Sequence, residues 1–182
     1  MRQRISTLVG LGVTALVLAA AAIAGTVTAT ATVTGAGSLA LSNGATASIS
    51  STLDGTDQTV SYSLPLTMND FRGSGAGWNL TMTSTTFNNG TQTLATSASS
   101  IASVASACTA GGSCTNPTNA VTYPLTVPAA ATAPTAVKVF NAAANTGMGR
   151  FTVTPSINVA IPGNAYAGSY TSTLTIAAVS GP

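Results

Sequence analysis

Gly77-Trp78-Asn79-Leu80-Thr81-Met82-Thr83-Ser84-Thr85-Thr86-Phe87 is the run of residues that settles how this chain is built. Trp78, Leu80 and Met82 occupy alternate positions, with Asn and Thr between them. In an extended strand alternate side chains share a face, so the three apolar groups point one way and the polar ones the other. β-Branched and aromatic residues suit such a pleated, half-buried surface.

The same period continues outward from this run. Upstream, residues 59–68 (TVSYSLPLTM) alternate Val60, Tyr62, Leu64 and Leu66, and Pro65 is expected at an edge or a bulge. Residues 26–34 (TVTATATVT) place Val27, Ala29, Ala31 and Val33 on one side and threonines on the other, and residues 45–53 repeat the pattern more loosely. Downstream, residues 120–127, 136–140, 150–161 and 169–179 are rich in Thr, Val, Tyr or Ile. Turn signals separate these runs at Asn43-Gly44, Asp54-Gly55, Asn89-Gly90, Thr146-Gly147 and Pro162-Gly163-Asn164. Residues 93–107, rich in Ala and Ser, leave strand, loop and short helical turn all open. About eight or nine short strands with alternating faces predict an all-β domain, a two-sheet antiparallel β-sandwich.

The first 24 residues read differently. Arg2 and Arg4 precede an uncharged apolar run over residues 8–24 that ends in Ala22-Ile23-Ala24. A basic start, an apolar middle and small residues at the exit are the parts of a secretory signal peptide (residues 1–24), cleaved after Ala24. An uncleaved anchor is the alternative, since about 18 apolar residues suffice to span a bilayer. Cleavage is favoured, and residues 25–182 then form one domain of a size that holds a proper core, with no membrane segment. The formal net charge of +2 changes with it, because Arg72, Lys138 and Arg150 now balance Asp54, Asp57 and Asp70.

Charged residues make up 4% of the chain, against about 25% in ordinary domains. There is no basic patch to neutralise phosphates, which argues against nucleic acid as a partner. A neutral surface of Thr, Ser and Asn suits an exported, extracellular protein that meets glycans or copies of itself. The 45% hydrophobic content excludes a disordered chain. Cys108 and Cys114 enclose Thr-Ala-Gly-Gly-Ser, a segment able to bend back on itself. In an oxidising compartment the pair is expected to close a small disulfide that pins a loop tip. A zinc site would need further soft or imidazole ligands, and the chain has no His and no other Cys.

Catalysis finds no footing in this inventory. Without His there is no Ser-His or Cys-His pair. Lys138 lies in a strand pattern, and Asp54-Gly55-Thr56-Asp57 reads as a turn with an Asx bond before it reads as a calcium loop. No enzyme, metal or cofactor is expected. The sequons at Asn79 and Asn89 carry little weight in a Thr-rich chain.

The informative segment is Asp70-Phe71-Arg72-Gly73-Ser74-Gly75-Ala76-Gly77-Trp78-Asn79-Leu80, where a glycine run delivers the single Trp. Trp78 and Leu80 point the same way. Burial is the reading the residues favour, since Trp is usually well buried. The alternative is a wall or partner contact, because an exposed indole stacks well on the apolar faces of sugars.

With these residues the chain resembles the WxL-domain family of Gram-positive surface proteins, in particular short single-domain members of actinobacterial type. The matching pieces are the early Thr/Val run, Asp54-Gly55-Thr56, Asp70 with its glycines, Trp78-Asn79-Leu80, the Cys108–Cys114 loop and residues 165–176. The resemblance implies an all-β fold and non-covalent attachment to cell-wall peptidoglycan. Ile176 stands where a second Trp would be expected from that resemblance. The leading expectation is therefore a secreted wall-binding module, with Trp78 and Leu80 as candidate contacts and wall glycan or other surface proteins as partners. The alternative is a structural subunit of an extracellular fibre or surface layer. In that reading residues 26–34, free of charge, Pro and Gly, self-associate by adding a strand to a neighbour's sheet. Pairing within its own domain is the simpler expectation for that stretch.

Overall fold

A computed structural model describes residues 29–35, 37–43 and 47–182. The expected signal peptide and its cleavage at Ala24 lie outside the described residues. The strands run β1 (Leu39–Asn43), β2 (Gln58–Ser63), β3 (Leu66–Asp70), β4 (Trp78–Thr85), β5 (Ser99–Cys108), β6 (Cys114–Thr115), β7 (Leu125–Thr126), β8 (Ala129–Ala130), β9 (Val137–Ala142), β10 (Met148–Ile161) and β11 (Leu174–Ser180). They make a seven-stranded sheet in the order β1-β3-β10-β5-β7, with β2 and β6 also on β10. The second sheet has four strands, β11-β4-β8 with β9 also on β4. All pairings are antiparallel except β4 with β8. The two sheets give the all-β sandwich that the alternation predicts.

The long strand β10 organises the larger sheet. It buries Phe151, Val153, Pro155, Ile157 and Val159 while the residues between them stay half-exposed. One side of it pairs with β3 (Arg150 opposite Asn69) and then with β2 (Val159 opposite Val60). The other pairs with β5, where the register shifts between Ser156 and Ile157. That shift follows Pro155, whose ring nitrogen has no hydrogen for the ladder.

The quoted run forms β4, and both of its faces are covered. Trp78, Leu80 and Met82 pack inward beside Leu66, Met68, Phe140 and Phe151. The opposite face carries the polar residues, yet Asn79 and Thr83 are buried too. Their polar groups are answered locally: Asn79 Nδ2 donates to Gly181 O at 2.8 Å and Thr83 Oγ1 to Pro134 O at 2.7 Å. Buried polar groups are tolerated when they are hydrogen-bonded in this way.

Three strand expectations change. Residues 29–34 carry no strand, and Val33 is 94% exposed; the alternating pattern there is not used for pairing within the chain among the described residues. Residues 47–53 carry none either. Strand β1, outside the expected runs, pairs with β3 and packs Leu39 and Leu41 on the core. Residues 120–127 yield only the short β7, while residues 93–107, left open above, contain most of β5.

Candidate functional site

The glycine-led Trp segment is a structural joint. Asp70 ends β3 and is buried, and Arg72 grips its carboxylate with two bonds of 2.8 Å. The same guanidinium donates to Gly77 O at 2.7 Å and to Ser180 Oγ. A charge-assisted fork of this kind fixes the backbone that delivers Trp78. It also holds the Asp70 carboxyl below its ordinary pKa, chiefly through the Arg72 hydrogen bonds. Trp78 then donates its indole N–H to Gly147 O at 2.8 Å and packs 5.7 Å from Phe140 and 6.4 Å from Phe151 between ring centroids. Gly147 has a φ of 69°, and a Cβ there would lie 2.6 Å from the indole nitrogen, so only glycine fits.

This corrects the expectation of a contact through Trp78 and Leu80. Both are fully buried, with no surface to offer a wall or a partner. The physical reason is the second sheet, which places β4 centrally and turns its apolar face onto β10. Ile176, in β11 opposite Met82, is half-buried against the same core. An apolar side chain is what that position requires.

Among the described residues two concave regions stand out, at opposite ends of β10. The first is a hollow of about 330 Å³ bordered by Phe71, Arg150 and residues 110–113. Phe71 directly follows the pinned Asp70 and is 36% exposed. Arg150 lies over its ring, 5.9 Å from the centroid, a cation–π arrangement. The loop that forms the third side is closed by the Cys108–Cys114 disulfide, with Cα atoms 5.8 Å apart. Both cysteines flank the start of β10, Cys108 opposite Phe151 and Cys114 opposite Gly149. Gly149 has a φ of 108°, and a Cβ there would meet Ser113 O at 2.6 Å, which lets the loop lie flat against the strand. Among the described residues the one ion pair is Asp70–Arg72, so the Arg150 guanidinium has no carboxylate partner.

The second region is a groove of about 1210 Å³ between the sheets, near the Ile161 end of β10. Tyr62, Leu64, Ile157, Val159, Leu174 and Ile176 line its depth, and Tyr166 and Tyr170 stand at its rim. Tyr170 Oη donates to Tyr166 O at 3.0 Å, and the rim loop is tied to β4 through Ser172 Oγ donating to Thr85 O at 2.6 Å. Burial raises the pKa of Tyr62. No lining residue is charged.

Of the other sequence candidates, Asp54 forms the Asx turn, accepting from Thr56 N at 2.9 Å and Thr56 Oγ1 at 2.7 Å. Asp57 accepts from Gly163 N at 2.8 Å. Phe71 and Arg150 were not singled out from the sequence. The available signal was that Arg150 is one of three cations beyond residue 24, and Phe71 sits inside the glycine-led segment.

A family model described as WxL domain, surface cell wall-binding, matches residues 25–180. No curated relative and no solved structure matches the chain.

Proposed function

The chain belongs to the WxL family of surface cell wall-binding domains, and we propose that it holds peptidoglycan non-covalently through the hollow between Phe71, Arg150 and the Cys108–Cys114 loop. Its place is the cell surface, in association with the wall. The observation behind the choice of site is the Arg150 guanidinium, stacked on an exposed ring and without an acid of its own. Peptidoglycan presents sugar faces and stem-peptide carboxylates side by side. An aromatic ring stacks on the former, and a guanidinium fork matches the latter in two-pronged geometry.

We read the module as a binder and not an enzyme. Asp70, the acid nearest the hollow, is committed to Arg72, and a carboxylate held ionised by two hydrogen bonds is a poor proton donor. The other two acids, Asp54 and Asp57, serve turns.

Co-sedimentation with isolated cell walls tests the assignment. Arg150→Gln is expected to weaken retention about tenfold, the worth of one lost charged hydrogen bond, and Phe71→Ala to weaken it further in combination. Full retention by both variants, with their thermal unfolding unchanged, would remove this hollow as the wall site.

A further inference from the structure

The hollow at the Arg150 end and the groove at the Ile161 end have opposite chemistry. Every polar side chain lining the groove is a hydroxyl, from Ser, Thr or Tyr, with no carboxylate, amide, amine or guanidinium among them. The depth is mostly hydrocarbon, where Leu64, Leu94, Val127, Ile157 and Val159 are buried. From the second sheet Leu174 and Ile176 face the same space and are half-buried. At about 1210 Å³ the space lies above the roughly 300–1,000 Å³ of ordinary ligand pockets.

Two loops complete the lining. In residues 47–53 exposed Ser48, Ser50 and Ser51 accompany half-buried Ile49 and Leu53. Gln58 holds this segment in place, donating from Nε2 to Thr52 O at 2.6 Å and accepting from Ser51 Oγ. Ile49 packs on the buried cluster of Leu94, Ala98 and Val159. The other loop, residues 165–172, carries Tyr166 and Tyr170 and is tied to β4 through Ser172. The groove is thus walled by the chain itself and keeps its volume inside those walls.

The lining selects its ligand by what it lacks. An ionised group would lose its hydration there with no opposite charge to replace it. A peptide brings an N–H and a C=O with each residue, and a few hydroxyls cannot answer them all. A hydrocarbon chain needs no partner and gains by leaving water. Hydroxyls at the rim both donate and accept, which suits an ester or alcohol head.

We propose that this groove binds an uncharged amphiphile of the long-chain acyl ester class. Its chain lies between the sheets, and its head lies between residues 47–53 and the Tyr166–Tyr170 loop. The site shares no residue with the hollow and does not rest on the wall-binding reading.

Fluorescence titration of the purified protein with the uncharged probe N-phenyl-1-naphthylamine tests it, followed by competition with octanoyl, decanoyl and dodecanoyl monoglycerides below their micelle concentrations. Saturable binding of the probe is expected. Competition should strengthen about fifteenfold for each added pair of methylenes, the worth of moving them out of water. The dodecanoate ion should compete more weakly than the dodecanoyl monoglyceride. No saturable binding, or competition that ignores chain length, overturns the proposal, and dodecanoate competing as well as the ester overturns the uncharged head. Two variants test the location. Leu174→Trp fills the groove from β11, and Ala165→Trp narrows it from the rim loop without altering a strand. Each is expected to abolish probe binding with thermal unfolding still cooperative. Should Leu174→Trp fail to fold, Ala165→Trp alone decides, and a folded variant that binds as wild type does places the ligand elsewhere and overturns the proposal.

Discussion

The two ends of β10 obey the same period of two and finish in opposite states. At the Arg150 end the sheets meet over Trp78, Phe140 and Phe151, and the polar groups around them are paired. At the Ile161 end the buried set shrinks to Leu94, Ala98 and Val159, while Ile49, Val60, Phe87 and Ile161 are only half-covered. Alternation decides which way a side chain points. How completely two sheets close is decided by side-chain packing, and at the second end the aromatics Tyr62, Phe87 and Tyr170 are only partly buried. One end of the molecule is complete, and the other presents apolar surface to whatever enters.

That contrast can be broken by substitution. The largest effect is expected at the complete end, where Trp78→Ala should cost about 3–5 kcal/mol in denaturant unfolding, the usual loss for a buried large aromatic. A loss of under about 1 kcal/mol would show that this end is no better packed than the other. Next in size, Asp70→Asn should cost about 1.5–3 kcal/mol at neutral pH, the range for hydrogen bonds to charged groups. Because Arg72 lowers the folded pKa of Asp70, its stabilisation is fully present above the unfolded value near 3.8. It is lost as the pH falls through the lower folded value. Wild type and Asp70→Asn should therefore converge in stability in strongly acidic solution, and a difference that stays constant below pH 4 would deny the ion pair this role. The smallest effect is expected at the open end, where Tyr166 is 66% exposed. Tyr166→Ala should change stability by about 0.5 kcal/mol or less. A larger loss would mean that the groove rim is already a packed part of the fold.

Much of the architecture was legible in the residues. The runs at 77–87, 136–140 and 150–161 became β4, β9 and β10, while the run at 59–68, expected as one strand with an edge or bulge at Pro65, divides there into β2 and β3. β5 was not legible because its Ala and Ser residues carry little β preference; its ten-residue length comes from lying beside β10. Residues 29–34 show the reverse failure, a strong strand pattern with no neighbour to pair with among the described residues. The Cys108–Cys114 disulfide could be read from two cysteines and the glycines between them. The candidate hollow could not. Phe71 and Arg150 are far apart in sequence, and only the register of β3 against β10 brings them together.

The 14 residues of β10 also have a mechanical meaning. Arg150 stands near one end of this strand, and β2 pairs with the other. A pull applied between these two ends would run along a single covalent backbone. The hydrogen bonds joining β10 to β2, β3 and β5 would then be loaded together in shear, and not unzipped one at a time. Such a domain resists tension best along the axis of β10.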